Sequence, residues 1–569
     1  MINRKVAAVA SSAALALVLA SCAQSERESD TGSGDGADSS GGGGGGGEAS
    51  GGGGTFTFGA AGAPASFDPF YASDGETFRI TRQIYENLIG IEEGGSEAVP
   101  ELATSWEGSE DGLTWTFELQ DGVTFHDGEA FNAEAVCANF ERWYTQNEVG
   151  QNDAVTAYWA GDFGGFKGGD ESLYESCEAT EDLTATVTIT RATGKFPMVL
   201  SQSSYAMQSP AAMEEFKAND VKVQGEGFIF PEYATDHPTG TGPFTFDSYD
   251  DANGAITLNR FDDYWGDKAG VEKLIFRIIS DETSRRQELD SGTINGYDLP
   301  NPVDWAGLEE AGNQVLIRDP FNVLYLGLNP VADDQLLDDD VRMALYMAID
   351  RDQLVKSQLP DGAAVATQFV PPTIAGYNDS LQPVEYDPEG AKALLAEAGA
   401  EGMSIDLWYP TEVSRPYMPD PQRIYNAVKA NWEDVGITVN PVAKPWTGGY
   451  LDGVQQSSAP AYFLGWTGDY NSADNFLGAF FSGAENSFGT SEYPWAKELQ
   501  DKLRAADAEP DEDTRIGLYQ ELNANIMEDW LPGLPISHSP PAIVVGPNVK
   551  GLVPSPLTAE NFATVTLSE

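Results

Sequence analysis

ELATSWEGSEDGLTWTFELQDGVTFHDGEAFNAEAVCANFERW, Glu101 to Trp143, alternates apolar and polar residues through Trp115, Phe117 and Leu119, breaks at Asp121-Gly122, and turns helical near Asn132. Alternation of period two places one side of a strand against a core, Asp-Gly is a turn signal, and Asn ahead of an apolar periodic run supplies a capping oxygen. The stretch therefore reads as strands feeding a helix. Upstream, Thr55-Phe56-Thr57-Phe58 alternates as a strand, Ser66-Phe67-Asp68-Pro69 opens a turn, and a helical pattern runs from Glu76 to Leu88.

Further towards the N-terminus, Arg4 and Lys5 precede an apolar run from Val6 to Ala20 and then Leu19-Ala20-Ser21-Cys22. This is the pattern of a secretory signal peptide, and the run is too short to favour a permanent membrane span. Small residues just before Cys22 resemble the lipobox of bacterial lipoproteins, a resemblance that implies cleavage at residues 1–22 and a lipid on Cys22. Residues 23–54 are Gly, Ser, Asp and Glu with almost nothing apolar to bury, so they are expected to form a disordered tether with a reach on the order of 30 Å.

A chain of 569 residues implies two or three domains. Its 90 acidic residues against 31 Lys+Arg give a net charge of −59, which excludes the electrostatic footprint of a nucleic-acid binder and leaves cationic or zwitterionic ligands acceptable. Catalytic signals are scarce. His126, His237 and His538 lie in turns or beside prolines, and no zinc-protease, nucleophile-elbow or Cys-x-x-Cys motif occurs. No enzyme, metal site or cofactor is expected, with a secreted peptidase as the distant alternative. Cys137 and Cys177 are the two cysteines of the exported body, and that compartment favours a disulfide between them.

Beyond the opening stretch come Thr239-Gly240-Thr241-Gly242-Pro243-Phe244, suited to a tight crossing, then Asn259-Arg260 and Tyr264-Trp265. Asp338 to Asp340 cap a helix whose Val341, Leu345, Ala348 and Ile349 share a face. Asp387-Pro388 opens another that Gly399 closes, and Ile424, Val428, Trp432 and Val435 stripe a third ending at Gly436. Together with Glu101–Trp143, these segments resemble the large solute-binding proteins of bacterial ABC importers, the dipeptide, oligopeptide and nickel-binding family. Tyr144 to Tyr174 matches that pattern poorly. The resemblance implies a two-lobed α/β fold of the periplasmic-binding-protein type (class II) with an extra inserted domain. Domain I would comprise 55–89, 237–318 and 536–569, domain II 90–236, and domain III 319–535.

Two stretches carry the ligand argument. Gly465 to Phe476, GWTGDYNSADNF, follows the apolar run Ala461 to Leu464, a short buried strand, and sets Asp469 close to Trp466 with Gly468 permitting close backbone approach. A carboxylate near an indole suits an ammonium group. Asp406 to Pro421, DLWYPTEVSRPYMPDP, reads as a strand and a proline-rich loop. In the dipeptide-binding members that the chain resembles, the matching Arg-Pro-Tyr holds the ligand carboxylate, which implies that role for Arg415. The resemblance also puts Tyr417, Trp446 and Thr467 near the ligand and Asp469 on its amino terminus. Where family loops usually continue with Asp-Pro, this chain has Ser472-Ala473, a departure that bears on side-chain preference. The expectation is a monomeric, lipid-anchored protein on the outer face of the cell membrane that binds short peptides and delivers them to an ABC permease. The alternatives are a nickel chelate, haem or oligosaccharide on the same fold.

Overall fold

The computed structural model describes residues 53–568 except 153, 170, 225–226 and 484–485; Cys22 and nearly all of the tether lie outside the described residues. Three sheets organise it. The first has seven strands in the order 244–250, 255–260, 273–278, 55–60, 296–298, 542–545, 314–317, with Thr55–Ala60 parallel to both neighbours. The second has six, in the order 364–365, 533–538, 322–328, 461–467, 404–411, 438–445. Its strand Asn322–Leu328, NVLYLGL, is buried along its whole length, as a continuous apolar run inside two covering layers should be. The third is a four-stranded antiparallel sheet, 103–108, 114–119, 184–189, 174–181.

The opening stretch forms the hairpin Ala103–Gly108 and Thr114–Leu119 and then the helix Ala133–Tyr144, where the Asn132 side chain accepts from the Ala135 N–H. A disulfide joins Cys137 on this helix to Cys177 on the strand Tyr174–Glu181. Asp338 caps Asp339–Met347, Asp387 with Pro388 opens Pro388–Glu397, and Pro421–Asp434 buries Ile424, Val428 and Trp432. At the crossing segment, Cβ atoms added to Gly240 or Gly242 would sit under 3 Å from the Ile84 backbone, so only glycine fits there.

Three expectations change. The helix expected over Glu76–Leu88 is Gly75–Ile84, capped by Asp74; the Ile84 carbonyl is taken by the Gly242 N–H and the chain continues extended from Tyr85. His538 is not in a turn but buried at the end of the strand Gly533–His538, with Nδ1 2.7 Å from the Asn322 carbonyl. The same strand corrects the domain boundary drawn at Pro535, since all of Gly533–His538 belongs to the six-stranded sheet.

Two segments link the seven- and six-stranded sheets, 318–322 and 538–542, and they are bonded to each other. The Arg318 N–H donates to the Pro541 carbonyl at 2.8 Å, and the Asn322 side chain both donates to and accepts from the Ser539 backbone. The six-stranded sheet thereby forms a lobe that faces the other two sheets across a cleft.

Candidate functional site

The strand Ala461–Thr467 pairs along its whole length with Asn322–Leu328 and, at Ala461–Tyr462, with Ser404–Thr411 on the other side, so its start is held from both flanks and its end from one. It runs three residues past the expected Leu464, and Thr467 ends it opposite Asn322. The Gly468 N–H then donates to the Phe321 carbonyl, and a Cβ at Gly468 would lie 2.5 Å from the Phe321 ring. Asp469 follows, facing Tyr158 of the helix Ala157–Asp162. Its N–H donates to Asn475 Oδ1 at 2.7 Å, and Trp466 Nε1 donates to the same oxygen at 3.3 Å, so one amide orients both the loop and the indole.

The Asp469 carboxylate is unevenly satisfied. Oδ1 accepts from the Tyr158 hydroxyl at 3.1 Å across the cleft, whereas Oδ2 is buried with no hydrogen-bond partner among the described residues. Burial pushes the carboxyl up to about 7, against the opposing pull of the Tyr158 bond and the Arg82 charge. An under-bonded, desolvated carboxylate is what an ammonium group would satisfy. Tyr158 lies in the segment that sequence comparison matched poorly, and only the tertiary fold reveals its role. Arg82, in sequence one residue of a helical pattern, is tied to Ser203 Oγ and the Thr558 carbonyl and packs over Phe78.

Arg415 lies in the loop after Ser404–Thr411, pinned by reciprocal backbone bonds with Met418. Its guanidinium stacks over Trp446, 4.4 Å from the ring centroid, and its Nε is buried without a partner among the described residues. Trp446 opens a five-residue π-helical turn, Trp446–Tyr450, a form common at functional sites. Tyr417 is buried against Gly465, where any Cβ would meet its ring at 2.4 Å. The structure therefore assembles two groups, Arg415–Trp446 and Asp469–Trp466–Asn475, with Tyr417 against the strand that carries the latter. Arg415 and Asp469 are not bonded to each other. The Arg415 loop also borders a pocket of about 540 Å³, open mouth included, whose lining includes Leu299, Pro300 and Trp305 and, from the crossing, Pro540.

Further contacts close the rim of the cleft. Lys195 Nζ donates to Asp474 Oδ2 at 2.8 Å, and Asp507 accepts from Arg191, from the Thr193 hydroxyl and, through its carbonyl, from the Gly194 N–H. Asn471 donates to Glu97. Among the described residues no His/Cys/Asp/Glu group is placed to hold a metal ion, and no helix is long and apolar enough to cross a membrane.

Residues 97–488 match the family described as bacterial extracellular solute-binding proteins, family 5. The dipeptide-binding protein of Escherichia coli is 34% identical over 520 residues, 89% of this chain and 93% of that protein. The heme-binding protein A of Haemophilus influenzae is 30% identical over 89% of this chain and 91% of its own length. Among solved structures, the periplasmic binding protein DppA of Helicobacter pylori in complex with the peptide STSA superposes with a TM-score of 0.73 at 27% identity, covering 91% of this chain and 99% of that one.

Proposed function

Because the chain belongs to the family 5 bacterial extracellular solute-binding proteins, we propose that it captures short peptides between its lobes, with Asp469 taking the ligand ammonium and Arg415 its carboxylate. It is an extracytoplasmic binding protein of α/β, two-lobed fold and not an enzyme, in keeping with its family. Its partner on this reading is the permease of an ABC importer, to which the closed, loaded form is presented. The observation that carries the ligand class is the Asp469 carboxylate, with one oxygen buried and unpartnered at the cleft. A guanidinium supported on an indole supplies the complementary charge, since its planar fork suits a carboxylate. Trp466 and Tyr417 would wall the ligand, and Thr467 would offer polar backbone beside it.

Several finer points belong to the same proposal. Cys22 would carry the lipid that tethers a monomeric protein to the outer face of the cell membrane, residues 23–54 giving it reach. Domain II would span 90–236, and domain III would run from 319 through the whole strand Gly533–His538, with the remaining segments forming domain I. Calorimetric titration of the purified protein with a dipeptide, its N-acetyl form and its C-terminal amide tests the clamp. Saturable binding that both modifications weaken is the expected result. Peptide-insensitive binding with a copurified chromophore would favour haem instead, a ligand that would leave Asp469 and Arg415 without joint purpose.

A further inference from the structure

The pocket beside Arg415 is shared between the lobes. Leu299 and Trp305 come from the side of the seven-stranded sheet, Pro416 and Pro419 from the loop that carries Arg415, and Pro540 and Pro541 from the crossing. Half of the residues that line it are proline, which offers no N–H and is held at one φ, so the lining is apolar and ordered before any guest arrives. One backbone position in it is strained. Leu299 stands at φ 53°, left-handed for a residue with a side chain, and its N–H donates to the Ala542 carbonyl at 3.1 Å. Such conformations persist where the surroundings over-determine them, and they recur at ligand clamps.

The polar side chains of the lining each hold a hydrogen bond within the protein, with one exception. Glu282 Oε1 accepts from the Tyr297 hydroxyl at 2.9 Å and from the Asn301 N–H at 3.3 Å, and Asn301 Oδ1 accepts from the Val303 N–H. Trp305 Nε1 donates to the Pro300 carbonyl at 3.0 Å, and Ser414 Oγ to the Pro419 carbonyl at 3.2 Å. The exception is Arg415, whose Nε is buried without a partner among the described residues. A lining that is apolar apart from one under-bonded guanidinium fits a guest of matching composition, an apolar group next to a carboxylate.

Resting on the peptide reading, we infer that this pocket receives the side chain of the ligand's carboxyl-terminal residue and selects a large apolar one, aromatic or branched aliphatic. Arg415 is the residue that the clamp and the pocket share. With the ligand carboxylate on Arg415, the side chain of the same residue leaves from the adjoining carbon and is the part of the ligand nearest the pocket. A volume of about 540 Å³, open mouth included, has room for it. An acidic side chain is disfavoured there, since it would lose its water to an apolar lining whose own carboxylate, Glu282, is fixed in place.

Titration calorimetry of the folded chain with Ala-Ala, Ala-Phe and Ala-Glu tests this. Ala-Phe should bind at least about tenfold more tightly than Ala-Ala, the gain expected from burying a ring where a methyl leaves the pocket unfilled. Ala-Glu should bind no more tightly than Ala-Ala. Asn301→Trp alters an exposed side chain of the lining, on the other lobe from Arg415, and should bring the ratio of Ala-Phe to Ala-Ala affinity down towards one by occupying the pocket. Equal Kd values for Ala-Phe and Ala-Ala in the unsubstituted protein overturn the inference while leaving the clamp standing, and Ala-Glu binding as tightly as Ala-Phe overturns it too. So does an Asn301→Trp variant that keeps the full ratio, whatever its effect on the two ligands together. If no dipeptide binds the unsubstituted protein, the peptide reading falls and this inference with it.

Discussion

Replacing Asp469 by Asn keeps the shape of the loop and removes one charge, which makes it the sharpest perturbation of the proposed site. A ligand ammonium would be left in a desolvated cleft without its counter-ion, at a cost of about 3–5 kcal/mol, or on the order of a hundredfold to several thousandfold in Kd. The pH profile adds a signature that a merely structural role would not give. With Asp469 titrating at about 7 in the free protein and a peptide amine at about 7.8, binding needs the carboxylate ionised and the amine protonated. Affinity for a C-amidated dipeptide should therefore peak between pH 7 and 8 and fall about fortyfold from pH 7 to pH 5. Asp469→Asn should abolish this acid limb. The stability of the ligand-free protein should move the other way. A carboxyl whose folded value lies above its unfolded one contributes stability that is complete below the unfolded value and is lost as pH rises through about 7. Asp469→Asn should thus stabilise the empty protein at pH 8, by up to about 4 kcal/mol, and the gain should vanish towards pH 4. Titration calorimetry and denaturant melts across pH measure both. Unchanged affinity in Asp469→Asn, or an acid limb that survives the substitution, would refute the assignment.

Tyr158→Phe removes the hydroxyl that donates to Asp469 Oδ1; it should weaken peptide binding about tenfold and shift the acid limb to higher pH, because the carboxylate loses a bond to its charged form. Gly468→Ala drives a Cβ to 2.5 Å from the Phe321 ring, so the loop must move; affinity should drop while the fold, followed by circular dichroism, persists. Reduction or double Ser substitution at Cys137 and Cys177 opens a linkage across 40 residues and should cost about 4 kcal/mol in the chain-entropy model, measured by chemical denaturation. Cys22→Ser should move the protein from membrane to soluble fractions with Kd unchanged, and retention in the membrane fraction would end the lipoprotein reading.

Local signals were the legible part of this chain. Asn132, Asp338 and the Asp387-Pro388 pair cap the helices their positions imply, because capping is decided within four residues. The strand leading to Asp469 was likewise visible in its apolar run, though its end was not, since Gly465 to Thr467 are held by pairing to a strand some 140 residues earlier. What sequence could not supply was the opposite wall of the cleft. Tyr158 and Arg82 meet Asp469 only through tertiary packing, from segments whose local pattern is an ordinary short helix.

The paired crossing at 318–322 and 538–542 carries a consequence for timing. The three hydrogen bonds that join the two segments have both partners within the crossing, so a rotation of the lobes about that axis leaves those three intact. Other bonds span the cleft and must break on opening: Lys195–Asp474 and the bonds to Asp507 at the rim, and Tyr158–Asp469 within the site. Closure and ligand recognition thereby overlap at Tyr158–Asp469 and part company at the rim. Substitutions at the rim would change how long the lobes stay closed without touching Asp469 or Arg415.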